Sequence, residues 1–169
     1  MTAPSTPARL RPASPDDIPL ILALIGELAE YELLSHQVVA TEELIHQALF
    51  GERTYAEVII AEVESDPAGF ALFFHNFSTF LGRPGIYLED LFVRPVYRGR
   101  GVGRMLLEHL AKIAVERNCG RLEWAVIDWN EPAIGFYKKL GAVPIDDWTI
   151  FRLTGDALRE LGNGGQGRG

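Results

Sequence analysis

"YRGRGVGRMLLEHL", Tyr97 to Leu110, sets three arginines (Arg98, Arg100, Arg104) among three glycines (Gly99, Gly101, Gly103) and then becomes an apolar-periodic run. Glycine is a poor helix former, so the first half reads as a loop and the second half as a helix. The segment before it, "LEDLFV", reads as a strand. Strand, glycine-rich turn, helix is an order that aims unpaired amides and the positive end of a helix dipole at one point. Such a point binds anions, and glycine lets phosphate oxygens reach the main chain. The alternative is a surface turn with solvated arginines. No Gly-Lys-Ser/Thr follows, so this is not a P-loop, and Arg104 breaks the dinucleotide fingerprint G-x-G-x-x-G.

The rest of the chain has the composition of an ordinary soluble globule of modest size. Its 169 residues suit one domain with its own core. No apolar run reaches the roughly 18 residues that span a bilayer. The net charge of −7 speaks against nucleic acid as a partner; it is compatible with cationic small molecules, and solubility alone explains it as well. Cys119 stands alone, so no internal disulfide forms and a cytoplasmic setting is expected. His36, His46, His75 and His109 show no metal-ligand spacing, and no metal is expected.

Working outward, residues 1–8 and 162–169 read as flexible tails around a single domain at 9–161. "RLRPA" is a first strand. "SPDDIPLILALIGELAEYELL" is a helix with Ser14 at its cap and Ile18, Ile21, Leu22, Ile25, Leu28 and Ala29 on one stripe. "TEELIHQALFG" is a second helix, capped by Thr41. "YAEVIIAEV", "AGFALFFHNF" and "GIYLEDLFV" are strands, "RLEWAVIDW" a fifth and "WTIFRLT" a last. "NEPAIGFYKKLG" is a helix capped by Asn130 and closed by Gly141. The fold class is α/β, with one sheet and helices on both faces.

Arg98 to Gly103 resembles the acetyl-coenzyme A motif of the GNAT superfamily of N-acetyltransferases. "YLEDLFV" (Tyr87–Val93), "WNEPAIGFYKKLGA" (Trp129–Ala142) and "ELAEYE" (Glu27–Glu32) resemble its spermidine/spermine and thialysine acetyltransferase branch. The resemblance implies a central, mostly antiparallel twisted sheet of about six or seven strands that splays after the fourth. It implies acetyl-CoA as co-substrate, held by Arg98, Gly99, Arg100, Gly101, Val102, Gly103, Arg104 and Asn130. A bulged strand would offer amides of Leu91, Phe92 and Val93. Tyr137 would be the general acid, and a homodimer is expected.

Glu89 and Asp90 interrupt an apolar strand, and strand neighbours point to opposite faces. One carboxylate therefore points to a covered side unless the strand is distorted. It could meet a cationic amine and help remove its proton, or sit in a structural ion pair with an arginine. Family analogy puts Glu89 ahead of Asp90. Asn130 and Tyr137, seven apart, share a helix face. Tyr31, Glu32, Asp147 and Trp148 are further candidates for the amine pocket, with Phe80 beside them. Phe80 stands where the branch has tryptophan, Glu30 replaces a basic residue, and the "LGRPGIYLED" stretch is one residue longer, which leaves the amine open. The expected reaction is direct acetyl transfer to a small cationic amine such as a polyamine, diamine or thialysine-like compound. The rivals are a protein lysine or N-terminal acetyltransferase and a non-catalytic acetyl-CoA sensor.

Overall fold

The computed structural model describes residues 8–164. The tail at 1–7 and the end of the other, 165–169, lie outside the described residues. The chain divides into two compact units, Met1–Ala125 and Val126–Gly169.

The first unit holds a five-stranded sheet in sequence order: β1 (Arg9–Pro12), β2 (Glu57–Val63), β3 (Asp66–Ser78), β4 (Arg83–Val93) and β5 (Leu122–Trp124). The first four are antiparallel neighbours, and β5 runs parallel to β4. Alternation sorts the side chains. Val58, Ile60, Phe70 and Phe92 pack with Ile18, Ile21, Leu24 and Leu28 of α1 (Ile18–Tyr31) and Leu49 of α2 (Glu42–Phe50). The opposite face meets α3 (Val102–Glu116), whose Val102, Leu106, Leu107 and Leu110 are buried. α2 begins where the sequence signals a cap, whereas Ser14, expected to cap the first helix, heads a 3-10 turn at Pro15–Asp17 and α1 starts only at Ile18. Thr41 Oγ1 accepts from Leu44 N at 3.3 Å, and Asp17, at the start of α1, accepts from Ser14 N at 2.7 Å.

The second unit holds α4 (Glu131–Lys139) and α5 (Gly155–Gly162). Asn130 Oδ1 caps α4 by accepting from Ala133 N at 3.4 Å. Gly141, at φ +90°, closes it, with Ala142 N donating to Tyr137 O at 3.2 Å.

Three expectations need correction. The sheet has five strands among the described residues, not six or seven. The fifth stops at Trp124 instead of running to Trp129. "WTIFRLT" is not a strand: residues 148–154 are irregular and exposed. β-propensity expresses packing against a neighbour, and no strand pairs with this segment among the described residues. After it α5 forms, which the glycines at both of its ends hid from a periodicity reading. Its helical signal is the spacing of Asp156 and Arg159, which form an ion pair.

Candidate active site

β4 carries one residue too many. Leu72 of β3 pairs with Asp90, and Phe73 pairs with Leu88, so Glu89 has no opposite number. A bulge of this kind flips the side-chain alternation downstream. Leu88 opposes Phe73 on the α3 face. Asp90 opposes Leu72, which packs against the α1 cluster. Both acids therefore escape the apolar layer under α3. Glu89 is exposed and Asp90 is half-buried on the α1 side.

Asp90 receives no hydrogen bond or ion pair among the described residues. Burial, then the charges of Glu89 and Glu32, push its carboxyl up to about 6. Glu32, the residue following α1, is also raised by burial. The contrast with Asp17 is instructive. Its carboxylate takes two bonds from Arg11, at 2.8 and 2.9 Å, and is held down to about 2. Asp17 is a structural ion pair; the Glu32–Glu89–Asp90 group has no such cation, and a strained like-charge cluster in a half-open position is a functional signature.

The sheet opens at the same place. β5 accompanies β4 only from Ile86 to Leu88. Beyond, no strand pairs with the outer side of Glu89–Val93 among the described residues, so alternate main-chain groups of Leu91, Phe92 and Val93 lie outside the strand ladder there, the Val93 carbonyl being taken by Arg98 Nε.

Past Val93 the chain makes a 3-10 turn at Pro95–Tyr97 and enters the glycine loop. Gly99 and Gly101 have φ of +75° and +80°, and a Cβ at either would meet nothing within 4 Å. Glycine is needed there for backbone conformation, and the concave side stays open. Gly101 caps α3, so the first amides of the helix, at Val102, Gly103 and Arg104, have no carbonyl behind them within it. This main-chain cradle fits a diphosphate. The arginine side chains do something else. Arg98 Nε donates to Val93 O at 2.9 Å, and its guanidinium lies 4.5 Å from the Tyr31 ring centroid. Arg100 stacks on Tyr97 at 5.6 Å, and Arg104 pairs with Glu108 at 2.7 Å one turn along α3.

Within the first unit, Tyr31, Glu32, Glu89, Asp90, the open edge of β4 and the glycine loop thus gather around one end of β4. Phe80 does not join them. It is fully exposed at the β3–β4 turn, next to the other end of β4. Seven residues of strand, roughly 23 Å at 3.3 Å each, separate Arg83 from Asp90. In the second unit, Asn130 and Tyr137 stand at the start and in the last turn of α4, with the Tyr137 ring tilted against that of Phe136 at 5.5 Å between centroids. Asp147 and Trp148 lie on the exposed stretch after it. The bulge is what sequence reasoning could not see at Glu89, and it alone decides which acid is sheltered.

A half-open sheet edge leading into a glycine-lined helix N-terminus defines an acyl-transfer scaffold. The chain belongs to the acetyltransferase (GNAT) family, whose profile matches residues 24–142. It is an acyltransferase, and acetyltransferases of this family use acetyl-CoA as co-substrate. It is 41% identical to the thialysine N-epsilon-acetyltransferase of Bos taurus, over 90% of this chain and 95% of that protein. It is 36% identical to the L-ornithine N5-acetyltransferase of Arabidopsis thaliana, over 91% and 87%. Among solved structures, an integron cassette protein from the mobile metagenome of V. cholerae superposes with a TM-score of 0.77 at 30% identity, covering 92% of this chain and 97% of that one.

Proposed function

We propose that this protein transfers the acetyl group of acetyl-CoA directly to a primary amine of a small cationic substrate, a diamine, polyamine or thialysine-like compound. The observation that carries the reading is the Glu32–Glu89–Asp90 cluster, which has no ion-pair partner among the described residues and of which Glu89 and Asp90 sit on the strand that leads into the glycine loop. The names of the relatives, two amino-acid side-chain acetyltransferases, agree with an amine at the end of a short cationic chain.

When bound, the thioester supplies an activated acetyl group. The loop amides from Gly99 to Arg104 hold its diphosphate, and main-chain groups of Leu91, Phe92 and Val93 hold its arm. An amide aimed at the carbonyl oxygen steadies the charge that gathers there, an effect of about 3 kcal/mol. Glu32, Glu89 and Asp90 draw in the ammonium. An ammonium has no lone pair, so a carboxylate must accept a proton first, directly or through water. Asp90, at about 6, is closer than an ordinary carboxylate to the neutral range where a base works well. Tyr137, on a helix capped by Asn130, returns a proton to the leaving sulfur. Asp147 and Trp148 complete the amine side in this reading.

The family match crosses the junction between the two units, which supports their working as one catalytic domain over 9–161. We place the reaction in the cytoplasm, in keeping with the lone Cys119. Among the described residues no helix is long and apolar enough to cross a membrane. A homodimer, with the 148–154 segment against its partner, is supported by the exposure of Trp148, Ile150 and Phe151.

The test is release of free thiol from acetyl-CoA with spermidine, spermine, short diamines, thialysine, ornithine, lysine and a basic peptide. Fast release with a small diamine or thialysine-like amine is expected. Release with the peptide alone would turn the reading to a protein acetyltransferase, and release with none to a sensor.

A further inference from the structure

Two arginines stand at either side of the turn into the glycine loop, and both reach for α1. Arg94, the residue after β4, donates from Nε and Nη2 to the two carboxylate oxygens of Glu27 at 2.9 and 2.7 Å. Its Nη1 donates to Pro67 O at 2.9 Å, and its own amide to Ala68 O at 2.8 Å. Arg98 lays its guanidinium on Tyr31 and ties Nε to Val93 O. The same guanidinium lies 5.7 Å from the ring centroid of Phe92. Glu27 and Tyr31 are four apart, one above the other on a single face of α1. The contacts therefore form two rungs, four residues apart in the loop and four apart on the helix.

We infer that Arg94 and Arg98 are positioning residues for the amine side of the site, the Arg98 side chain being committed to α1. This inference rests on the acetyl-transfer reading above. Three observations carry it. First, the Arg98 side chain already has a planar aromatic partner and a carbonyl partner, the two kinds of contact a guanidinium makes best short of a carboxylate. Second, the loop's fitness for a diphosphate lies in the open, positive-φ glycines and in the helix amides, none of which needs that side chain. Third, the rungs grip α1 at its last turn. Tyr31 ends the helix, Glu32 follows, and Leu33 turns the chain at φ +62°. Glu32 has no ion pair among the described residues, so what fixes it opposite Asp90 is the anchoring of the turn before it. With Arg98 lying on the Tyr31 ring, Asp90 is shifted only by burial and by two other acids, with no cation among the causes. The cluster thereby keeps its negative charge for an incoming ammonium.

The test compares wild type with Arg98→Gln, Tyr31→Phe and Tyr31→Leu. Coenzyme A binding is measured by calorimetry, exchange of the 28–34 amides by mass spectrometry, and KM for spermidine and thialysine at saturating acetyl-CoA. The inference expects Arg98→Gln to leave coenzyme A affinity within about threefold. It expects at least tenfold faster exchange at 28–34 and a fivefold or greater rise in KM for whichever amine is turned over. Tyr31→Phe keeps the ring and should behave like wild type in exchange, while Tyr31→Leu should match Arg98→Gln. A tenfold or greater loss of coenzyme A affinity in Arg98→Gln with unchanged exchange overturns the inference and returns that side chain to the phosphates. So does unchanged exchange with unchanged affinity. Wild-type protein that does not bind coenzyme A sinks the acetyl-transfer reading instead.

Discussion

Replacing Asp90 with asparagine should make the ligand-free protein more stable at neutral pH while lowering its turnover. The Asp90 carboxyl is raised from an ordinary 3.8 to about 6 by burial and by the neighbouring acids. For an acid held above its unfolded value, the folded state keeps a proton that the unfolded state gives up between pH 4 and 6. Stability therefore falls as pH rises through that window. Below pH 4 both states are protonated and the group costs nothing. Above 6 the full cost is present, and a gap of about 2 at about 1.4 kcal/mol each gives about 3 kcal/mol. Asparagine is neutral throughout. The variant should exceed wild type by about 3 kcal/mol at pH 7.5, a rise in Tm of roughly 6–12 °C for a chain of this size. The difference should shrink toward zero at pH 4. Urea unfolding followed by circular dichroism from pH 4 to 8 reads it directly. Groups outside the Glu32–Glu89–Asp90 cluster titrate alike in both proteins and cancel, and relief of Glu32 and Glu89 is part of the same gain. A variant no more stable at pH 7.5, or a difference that ignores pH, would refute the unpartnered-carboxylate argument.

Further outcomes are expected. Tyr137→Phe should lower kcat by about a hundredfold or more with small changes in KM, as loss of a general acid does, and steady-state thiol release measures it. Gly103→Ala meets only Val93 Cγ2 at 3.7 Å, an ordinary packing distance, so α3 should tolerate it or gain up to about 1 kcal/mol, and coenzyme A affinity should change little because the added methyl faces Val93 and leaves the helix amides in place. Thermal unfolding and calorimetry check the two. Gly69→Ala brings a Cβ to 2.3 Å from Phe92 O, a main-chain atom of β4, and should cost about 1–3 kcal/mol in urea unfolding. Sedimentation should find a dimer, and Phe151→Asp should shift it toward monomer.

What the sequence revealed and what it hid divide along a physical line. The glycine loop, the caps at Thr41 and Asn130, and the closing Gly141 are local: each is set by the backbone conformation or unpaired amides of a few neighbouring residues, and each stands where the pattern put it. The segment 148–154 has the composition of a strand but no edge to pair with among the described residues, and pairing is not written in the segment itself. Likewise "LEDLFV" reads equally well with either acid turned inward. Only the register against β3, a contact between residues about 18 apart in sequence, reveals that Glu89 is the extra one. Choosing Glu89 over Asp90 from the chain alone had no physical basis in the strand, whereas the burial and shifted titration of Asp90 supply one.

The same extra residue does two jobs at once. Were β4 regular, Leu88, Asp90 and Phe92 would share the α3 face. Asp90 would then lie in an apolar layer with Leu106 and Leu110, an expensive place for a carboxylate. Inserting Glu89 sends Asp90 and Phe92 to the α1 side, where Glu32 and the Arg98–Tyr31 stack lie, and sends Val93 to the other, where it packs under Gly103 at the start of α3. A cluster of acids and a seat for the anion-binding helix end are thus produced a few residues apart on one strand. Removing the bulge would exchange the faces of every later residue of β4 and undo both. In the proposed reaction, that coupling would let so short a stretch bring a cationic amine and a polyanionic co-substrate to the same strand without their binding groups neutralising each other.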